Sequence, residues 1–165
     1  MLVIGIDPGT AITGYGLVRE DQNGKLKAVD FGVIQTPAKM PMPQRLLRIY
    51  RELKEIVLLH QPDYGVVEKL FFQKNVRTAI SVGQGRGVAI LSLADSDIPV
   101  NEYTPLEIKQ AVAGYGGADK AQVQYMVKVL LELEEVPQPD DAADALAVAV
   151  CHIHQARFNA LTQHE

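Results

Sequence analysis

Two short segments of β-forming residues, each ending in an acidic residue, constrain the fold of this chain more than any other sequence feature. Residues 2–6 are apolar or glycine and are followed by Asp7 and a Pro-Gly turn, and residues 64–67 are followed by Glu68. Runs of four or five such residues that stop at a turn or a charge are typical of buried β-strands. The sequence therefore places a carboxylate at the end of each of two buried strands.

The remaining segments predict an α/β chain. Residues 13–18 and 26–34 predict two further strands around an Asn-Gly hairpin turn, so the chain opens as an antiparallel meander. Residues 99–103 predict a fifth strand. The spacing of apolar residues predicts helices over residues 45–60, 75–94, 105–113, 119–133 and 140–158. Strands first, and then strands alternating with helices, indicate a sheet with helices on both faces.

The length and composition fit one globular domain. The 165 residues are 47% hydrophobic and 22% charged, which excludes disordered, collagen-like and coiled-coil chains. Without a repeat or a linker, we expect a single domain over residues 1–158 and a flexible tail over residues 159–165. The single cysteine, Cys151, excludes an internal disulfide and a cysteine-clustered zinc site. The sequence contains no signal peptide or membrane-spanning run, so we expect a soluble, cytoplasmic protein without a membrane partner.

The charge is distributed unevenly along the chain. The net charge is −4, but residues 129–165 hold seven of the acidic side chains and one basic side chain. Residues 37–128 hold twelve basic and nine acidic side chains, so the middle of the chain is mildly basic. Because local charge decides what a surface binds, the acidic total does not exclude a nucleic-acid partner.

A second pair of acids lies in the last predicted helix. Asp141 and Asp144 are three residues apart, which places them on one helix face, and Asp140 with Asp144 would share a face equally well. Each acid also has an ordinary structural interpretation: Asp7 in a turn, Glu68 as a strand-end charge, Asp141 as a helix cap. Asp144 fits none of these, because it follows two alanines inside an apolar helix.

Clustered carboxylates of this kind are typical of a site for divalent cations. Two carboxylates about 4 Å apart repel by roughly 4 kcal/mol at an effective dielectric constant of about 20, and a bound cation turns that repulsion into attraction. Ligands that are all oxygen suit Mg²⁺, with Mn²⁺ as a substitute. Two such ions can activate water and stabilise the leaving oxygen of a phosphodiester. The acids therefore predict metal-dependent phosphodiester hydrolysis with two ions per site.

Five motifs in order resemble one family, the RuvC-type Holliday-junction resolvases, over nearly the whole chain. They lie at residues 4–10 (IGIDPGT), 68–72 (EKLFF), 83–90 (GQGRGVAI), 108–114 (IKQAVAG) and 141–147 (DAADALA). The resemblance implies an RNase H-like fold, a five-stranded mixed sheet in which the first three strands are antiparallel. It also implies a homodimeric, Mg²⁺-dependent endonuclease that nicks two opposed strands of a four-way junction symmetrically, in homologous recombination and DNA repair.

By position, the resemblance assigns the catalytic and metal-binding roles to Asp7, Glu68, Asp141 and Asp144. The Asp-Ala-Ala-Asp match selects Asp141 over Asp140, which spacing alone leaves open. The resemblance also implies branch-migration helicase proteins as further partners.

The DNA-contacting residues are predicted partly from the resemblance and partly from their neighbourhood. Lys109 and Lys120 match basic residues of the family's DNA-contacting surface. Phe71 matches an aromatic residue that stacks on a base near the crossover, although Phe72 stands beside it as an alternative. Further DNA-binding residues are predicted in the same region, at Lys74 and Arg77. Arg77 and Arg86 are expected to face DNA phosphates or the dimer surface, and a solvated helix face explains them equally well.

A homodimer also follows from symmetry. Symmetric cuts in a two-fold junction need two identical sites related by a two-fold axis. The helix over residues 75–94 is the candidate interface, because its glycines and alanines permit close approach. His152 and His154 are two residues apart, which makes them poor joint metal ligands and favours structural roles.

Three other functions were weighed against the sequence. An ATP-binding protein of the actin and sugar-kinase type needs two similar lobes, for which one domain has no room. A non-catalytic nucleic-acid binder has no reason to cluster four acids near a phosphate. A related nuclease that acts on other structured DNA or RNA stays open.

Overall fold

A computed structural model describes residues 1–69 and 76–162 of the chain. The strands are β1 (Leu2–Asp7), β2 (Ile12–Glu20), β3 (Leu26–Gln35), β4 (Tyr64–Glu68) and β5 (Val100–Tyr103). The helices are α1 (Met42–His60), α2 (Val76–Ala94), α3 (Pro105–Ala113), α4 (Lys120–Leu130) and α5 (Asp140–Thr162).

The strands form one mixed sheet in the order β3-β2-β1-β4-β5. β1 pairs antiparallel with β2, and β2 pairs antiparallel with β3. β4 is parallel to both β1 and β5. The hairpin between β2 and β3 turns at Gly24, whose φ of 78° suits glycine. The predicted five-stranded sheet, antiparallel over its first three strands, is confirmed.

The two faces of the sheet are covered by different helices. One core packs α1 and α2 against Leu2, Ile4 and Ile6 of β1. The other core packs α3, α4 and α5 against the opposite face, where Val3 of β1 and Val66 of β4 lie. Because successive side chains of a strand point to opposite faces, β1 sends its even-numbered residues towards α1 and α2 and its odd-numbered residues towards α5.

Glycines bring α5 unusually close to the sheet. A Cβ added at Gly5 would lie 2.1 Å from the carbonyl oxygen of Ala145, and one at Gly14 would lie 2.0 Å from that of Asp141. No other residue leaves room for these approaches, since a Cβ is not found under 3.0 Å from such an atom. The first turns of α5 therefore lie directly on β1 and β2.

Three helix boundaries differ from the predicted ones by more than one residue. α1 begins at Met42, earlier than expected, with a proline in its first turn, where the missing N–H costs nothing. α4 ends at Leu130, close before Glu132, whose φ of 52° is left-handed. α5 continues to Thr162 and so includes residues 159–162, which we expected in the tail. None of the helices described is long and apolar enough to cross a membrane.

Candidate functional site

The alternation of strand residues directs Asp7 and Glu68 to the face that α5 covers. Asp7 follows Val3 and Gly5 on the odd-numbered side of β1, and Glu68 follows Val66 on the same side of β4. The two strands are parallel neighbours, so both carboxylates lie at the same end of the sheet. The two acids come together because strand side chains alternate between the faces of the sheet and because β1 pairs with β4.

The first turns of α5 bring the second pair of acids to the same end. The backbone and Cβ of Asp141 lie against Gly14 of β2, and Gly14 is the residue that pairs with Asp7 across the two strands. Asp144 follows one turn later on the same helix face. Three separate stretches of the chain therefore converge at one end of the sheet.

The pKa of the Asp7 carboxyl reflects this convergence. Burial raises the pKa of the Asp7 carboxyl from its usual 3.8 to about 7, and the charges of neighbouring acids add to the rise. In order of effect, these acids are Asp144, Glu68 and Asp141. The Lys120 ammonium opposes them by lowering the same pKa. The four predicted acids therefore form one coupled group.

Glu68 and Asp144 line a cleft of about 230 Å³ between the sheet and helices α3, α4 and α5. Its other walls are Lys109, Lys120 and the apolar residues Pro105, Ile108, Val123, Ala147 and Val148. Burial raises the pKa of Glu68, the charge of Asp144 raises it further, and Lys109 and Lys120 lower it. The cleft thus contains two carboxylates and two lysine side chains, and its other lining residues are apolar.

Lys120 is the cation in direct contact with the acids. Its Nζ lies 2.9 Å from Oδ2 of Asp144 and 3.5 Å from Oδ2 of Asp140. The hydrogen bond to Asp144 raises the pKa of Lys120, against the opposing effect of burial. Asp140, which spacing left as an alternative to Asp141, faces this lysine at the rim, whereas Asp141 lies against the sheet beside Asp7.

The donor set at this end fits a divalent cation of the magnesium type, because the acids provide only oxygen ligands. The raised pKa of Asp7 shows that the acids are close enough to oppose one another's ionisation. In the described residues, no three acidic, histidine or cysteine side chains are arranged so that they could hold one ion together. Mg²⁺ is commonly held by one or two carboxylates together with water and substrate phosphate, and this arrangement meets that smaller requirement.

The other predicted residues are placed as follows. Lys109 and Lys120 lie in the cleft, as described, and Arg77 lies in α2. Phe71, its alternative Phe72 and Lys74 lie outside the residues that the structure describes.

Arg86 has a partner inside the chain. Its guanidinium forms an ion pair with Glu102 of β5, so it connects α2 to the sheet. An acidic residue on the neighbouring strand satisfies the charge inside the chain, which a reading of α2 alone could not reveal.

The histidines have structural contacts, as expected. His152 is buried, and its Nδ1 lies 3.0 Å from the hydroxyl of Tyr103. His154 donates from Nδ1 to the carbonyl oxygen of Ala111 at 2.8 Å.

Sequence reasoning missed Gln124. Its Nε2 donates to Oδ1 of Asp144 at 3.3 Å, from within α4. Its position four residues after Lys120, between the apolar Val123 and Val127, was the available signal, because that spacing places both polar side chains on one helix face.

Comparison with known proteins identifies a family. The family model for crossover junction endodeoxyribonuclease RuvC matches residues 3–152. A protein of that name from Syntrophomonas wolfei is 53% identical over 163 residues, which cover 99% of this chain and 94% of that protein. Another, from Chloroflexus aurantiacus, is 58% identical over 156 residues, which cover 94% of each.

The fold comparison agrees. The structure of T. thermophilus RuvC in complex with a Holliday junction substrate superposes on this chain with a TM-score of 0.88 and 33% identity. The superposition covers 96% of both chains.

Proposed function

Because the chain belongs to the RuvC family of crossover junction endodeoxyribonucleases, whose RNase H-like fold it shares, we propose how its own residues perform the reaction. The protein is a structure-specific endodeoxyribonuclease that resolves four-way (Holliday) junctions in DNA recombination and repair. The proposal concerns the residues, the cation and the assembly. It rests on the convergence of Asp7, Glu68, Asp141 and Asp144 at one end of the sheet.

The four acids are proposed to hold the cations and to orient the attacking water. A divalent cation, Mg²⁺ or Mn²⁺ and two per site in our proposal, supplies Lewis-acid charge at the water and at the phosphate oxygens. Asp7 is the most strongly coupled of the acids, because it is buried and three other carboxylates act on it. Ionising Asp7 without a cation nearby is unfavourable, so a bound cation would stabilise its carboxylate.

Lys120 and Lys109 are proposed to neutralise the phosphate backbone at the rim of the cleft. Both lower the pKa of Glu68, so their charges act on the acids, and the side chain of Lys120 is 57% exposed to solvent. Phosphate contacts of this kind supply affinity without reading sequence. We also propose that Phe71, from the family resemblance, and Lys74 and Arg77, from their position in the same region of the chain, contact the junction.

The protein is proposed to act as a homodimer through the solvent-facing side of α2. Ile80 and Leu91 are 58% and 57% exposed, and they lie on one stripe with Gly83 and Gly87. A Cβ at either glycine would meet nothing within 4 Å in the described chain. A second copy of the chain fits this face, because two opposed strands of a junction need two identical sites about a two-fold axis.

Branch-migration helicase partners and a cytoplasmic location stay predictions. The helicase partners follow from the family resemblance, and a cytoplasmic location agrees with a substrate that is recombining DNA.

The experiment that tests the proposal is incubation with a synthetic four-way junction and with a linear duplex of the same sequence, with and without Mg²⁺. We expect paired nicks in opposed strands of the junction only, and only with Mg²⁺ or Mn²⁺. Equal cutting of the duplex, or of a branched RNA, would favour a nuclease for other structured nucleic acids. Nicking in the presence of a chelator would contradict the metal requirement.

The proposed base-stacking residue is tested by two neighbouring variants. Phe71→Ala is expected to slow nicking far more than Phe72→Ala, since loss of one stacked base costs about 1–3 kcal/mol. Each variant is the control for the other, because both remove the same ring. Equal effects on the nicking rate would remove the assignment of Phe71.

A further inference from the structure

A buried amide in α4 faces one of the proposed metal ligands. Gln124 is only 8% exposed, and its buried neighbours on the same helix are Val123 and Val127. Burying a glutamine is unfavourable unless its amide is hydrogen-bonded, so a partner is needed to explain this residue. The partner is Asp144, whose Oδ1 accepts from Nε2 of Gln124 at 3.3 Å.

Helix α4 thus contacts both oxygens of one carboxylate. Lys120, one turn earlier, places its Nζ 2.9 Å from Oδ2 of Asp144. The orientation of the Gln124 amide follows from chemistry, because only its NH₂ group can face a carboxylate oxygen without two acceptors repelling each other. The plane of the Asp144 carboxylate is fixed by one charged donor and one neutral donor.

The two donors differ in what they do when a cation approaches. The Lys120 ammonium competes for the carboxylate charge and is also suited to a phosphate. The Gln124 amide is neutral, so it does not oppose a cation, and its hydrogen bond to Oδ1 would leave the carboxylate with acceptor capacity for an ion. Groups that hydrogen-bond to a metal ligand in this way orient it, and removing them typically lowers metal affinity about 10- to 100-fold.

We propose that Gln124 is a positioning residue that holds the Asp144 carboxylate in the orientation that receives a divalent cation, and so sets the affinity of the site for that ion. This inference rests on the proposed function, because it takes Asp144 as a metal ligand. It adds a residue from outside the four acids and a property, metal affinity, that can be measured without DNA.

The test is Mn²⁺ and Mg²⁺ binding to the full chain without DNA, measured by calorimetry for wild type and Gln124→Met. Methionine has similar length and helix propensity but no donor. We expect about tenfold weaker Mn²⁺ binding, an unchanged or higher melting temperature, and unchanged junction affinity in a chelator. Nicking should need more Mg²⁺ but approach the wild-type rate at saturation. Gln44→Met, at an exposed position of α1, is the matched control and should bind Mn²⁺ like wild type.

A purely structural role for Gln124 predicts the opposite pattern, a lower melting temperature with unchanged Mn²⁺ affinity in the folded protein, and that result would overturn the inference. If Gln124→Met does not fold, Gln124→Asn is measured instead. It keeps the amide one methylene further from Asp144, so the same loss of Mn²⁺ affinity is expected, and wild-type affinity would overturn the inference.

Asp144→Asn separates the two levels of the proposal. Loss of Mn²⁺ binding in Asp144→Asn but not in the Gln124 variants would overturn only the role of Gln124. Absence of Mn²⁺ binding by wild type, with full nicking by Asp144→Asn, would overturn the proposed function and this inference together.

Discussion

The glycines of β1 and β2 and the glycines of α2 perform opposite tasks. At Gly5 and Gly14 an added Cβ would lie about 2 Å from a carbonyl oxygen of α5, well inside a steric clash. At Gly83 and Gly87 an added Cβ would meet nothing within 4 Å in the described residues. The first pair lets one helix of the chain lie directly on the sheet. The second pair leaves a helix face bare at the surface.

This difference explains how the chain concentrates negative charge. Close packing of α5 on β1 and β2 fixes the backbone of Asp141 beside Gly14, which pairs with Asp7. Moving α5 away from the sheet would open a gap in the core, so separating the acids in this way is costly. Burial, and then repulsion from the neighbouring acids, raises the pKa of Asp7. No other part of the described chain packs closely against Gly83 and Gly87 of α2, which agrees with the proposal that a second copy covers this face.

The largest effect on folding is expected for Gly14→Ala. The new methyl group would displace the Asp141 carbonyl or β2, and overpacking of this kind costs about 3 kcal/mol or more. For a chain of this size that corresponds to a fall of roughly 10 °C in melting temperature. The measurement is thermal unfolding followed by circular dichroism. An unchanged melting temperature would mean that α5 is not held against the sheet at this point.

A smaller effect, of opposite sign, is expected for Asp7→Asn in a metal-free buffer. Burial and neighbouring acids raise the pKa of Asp7 from 3.8 to about 7, so ionising it is less favourable in the folded protein than in the unfolded chain. The resulting destabilisation is absent below about pH 4, grows as the pH rises and is complete above about pH 7.

We therefore expect Asp7→Asn to be more stable than wild type at pH 8 by about 2 kcal/mol. This is half of the roughly 4 kcal/mol that the pKa change alone would give, to allow for solvent screening. At pH 4 the two proteins should unfold alike. Urea unfolding at both pH values checks the expectation, and a less stable variant at pH 8 would show that the acids are not repelling one another.

The smallest effect on folding is expected for Gly87→Ala. Alanine is favoured over glycine in a helix interior by about 1 kcal/mol, and the open space around Gly87 imposes no clash. The free energy of unfolding of the monomer should rise by up to that amount, while sedimentation should show a weaker dimer. A loss of stability comparable with that of Gly14→Ala would show that the glycines of α2 pack inside the chain and would end the comparison.

The parts of the fold that follow from local pattern could be predicted from the sequence. The strand ending at Asp7 and the strand ending at Glu68 were evident from short β-forming runs, and the sheet order agrees with the resemblance. The start of α1 was missed because prolines in its first turn resemble a loop. The end of α4 was placed too late because left-handed Glu132 carries no glycine signal.

The parts of the site that depend on contacts between distant segments could not be predicted from local pattern. Spacing left Asp140 and Asp141 equal. In the structure they differ because Asp141 packs on Gly14 and Asp140 pairs with Lys120. Arg86 was read as a surface cation because Glu102 lies in another element. Gln124 was overlooked because a single glutamine forms no motif. Its role follows only from its hydrogen bond to Asp144, which lies in another helix.

The central claim is that the acids at the end of the sheet act together on a junction phosphodiester. The most direct measurement compares nicking of a four-way junction in saturating Mg²⁺ by wild type and Asp144→Asn, with junction affinity measured in parallel. We expect the variant to nick at less than about 1% of the wild-type rate while it binds the junction at least as tightly, because the acids hold the ion and the basic side chains hold the DNA. Nicking by Asp144→Asn at the wild-type rate would contradict the central claim.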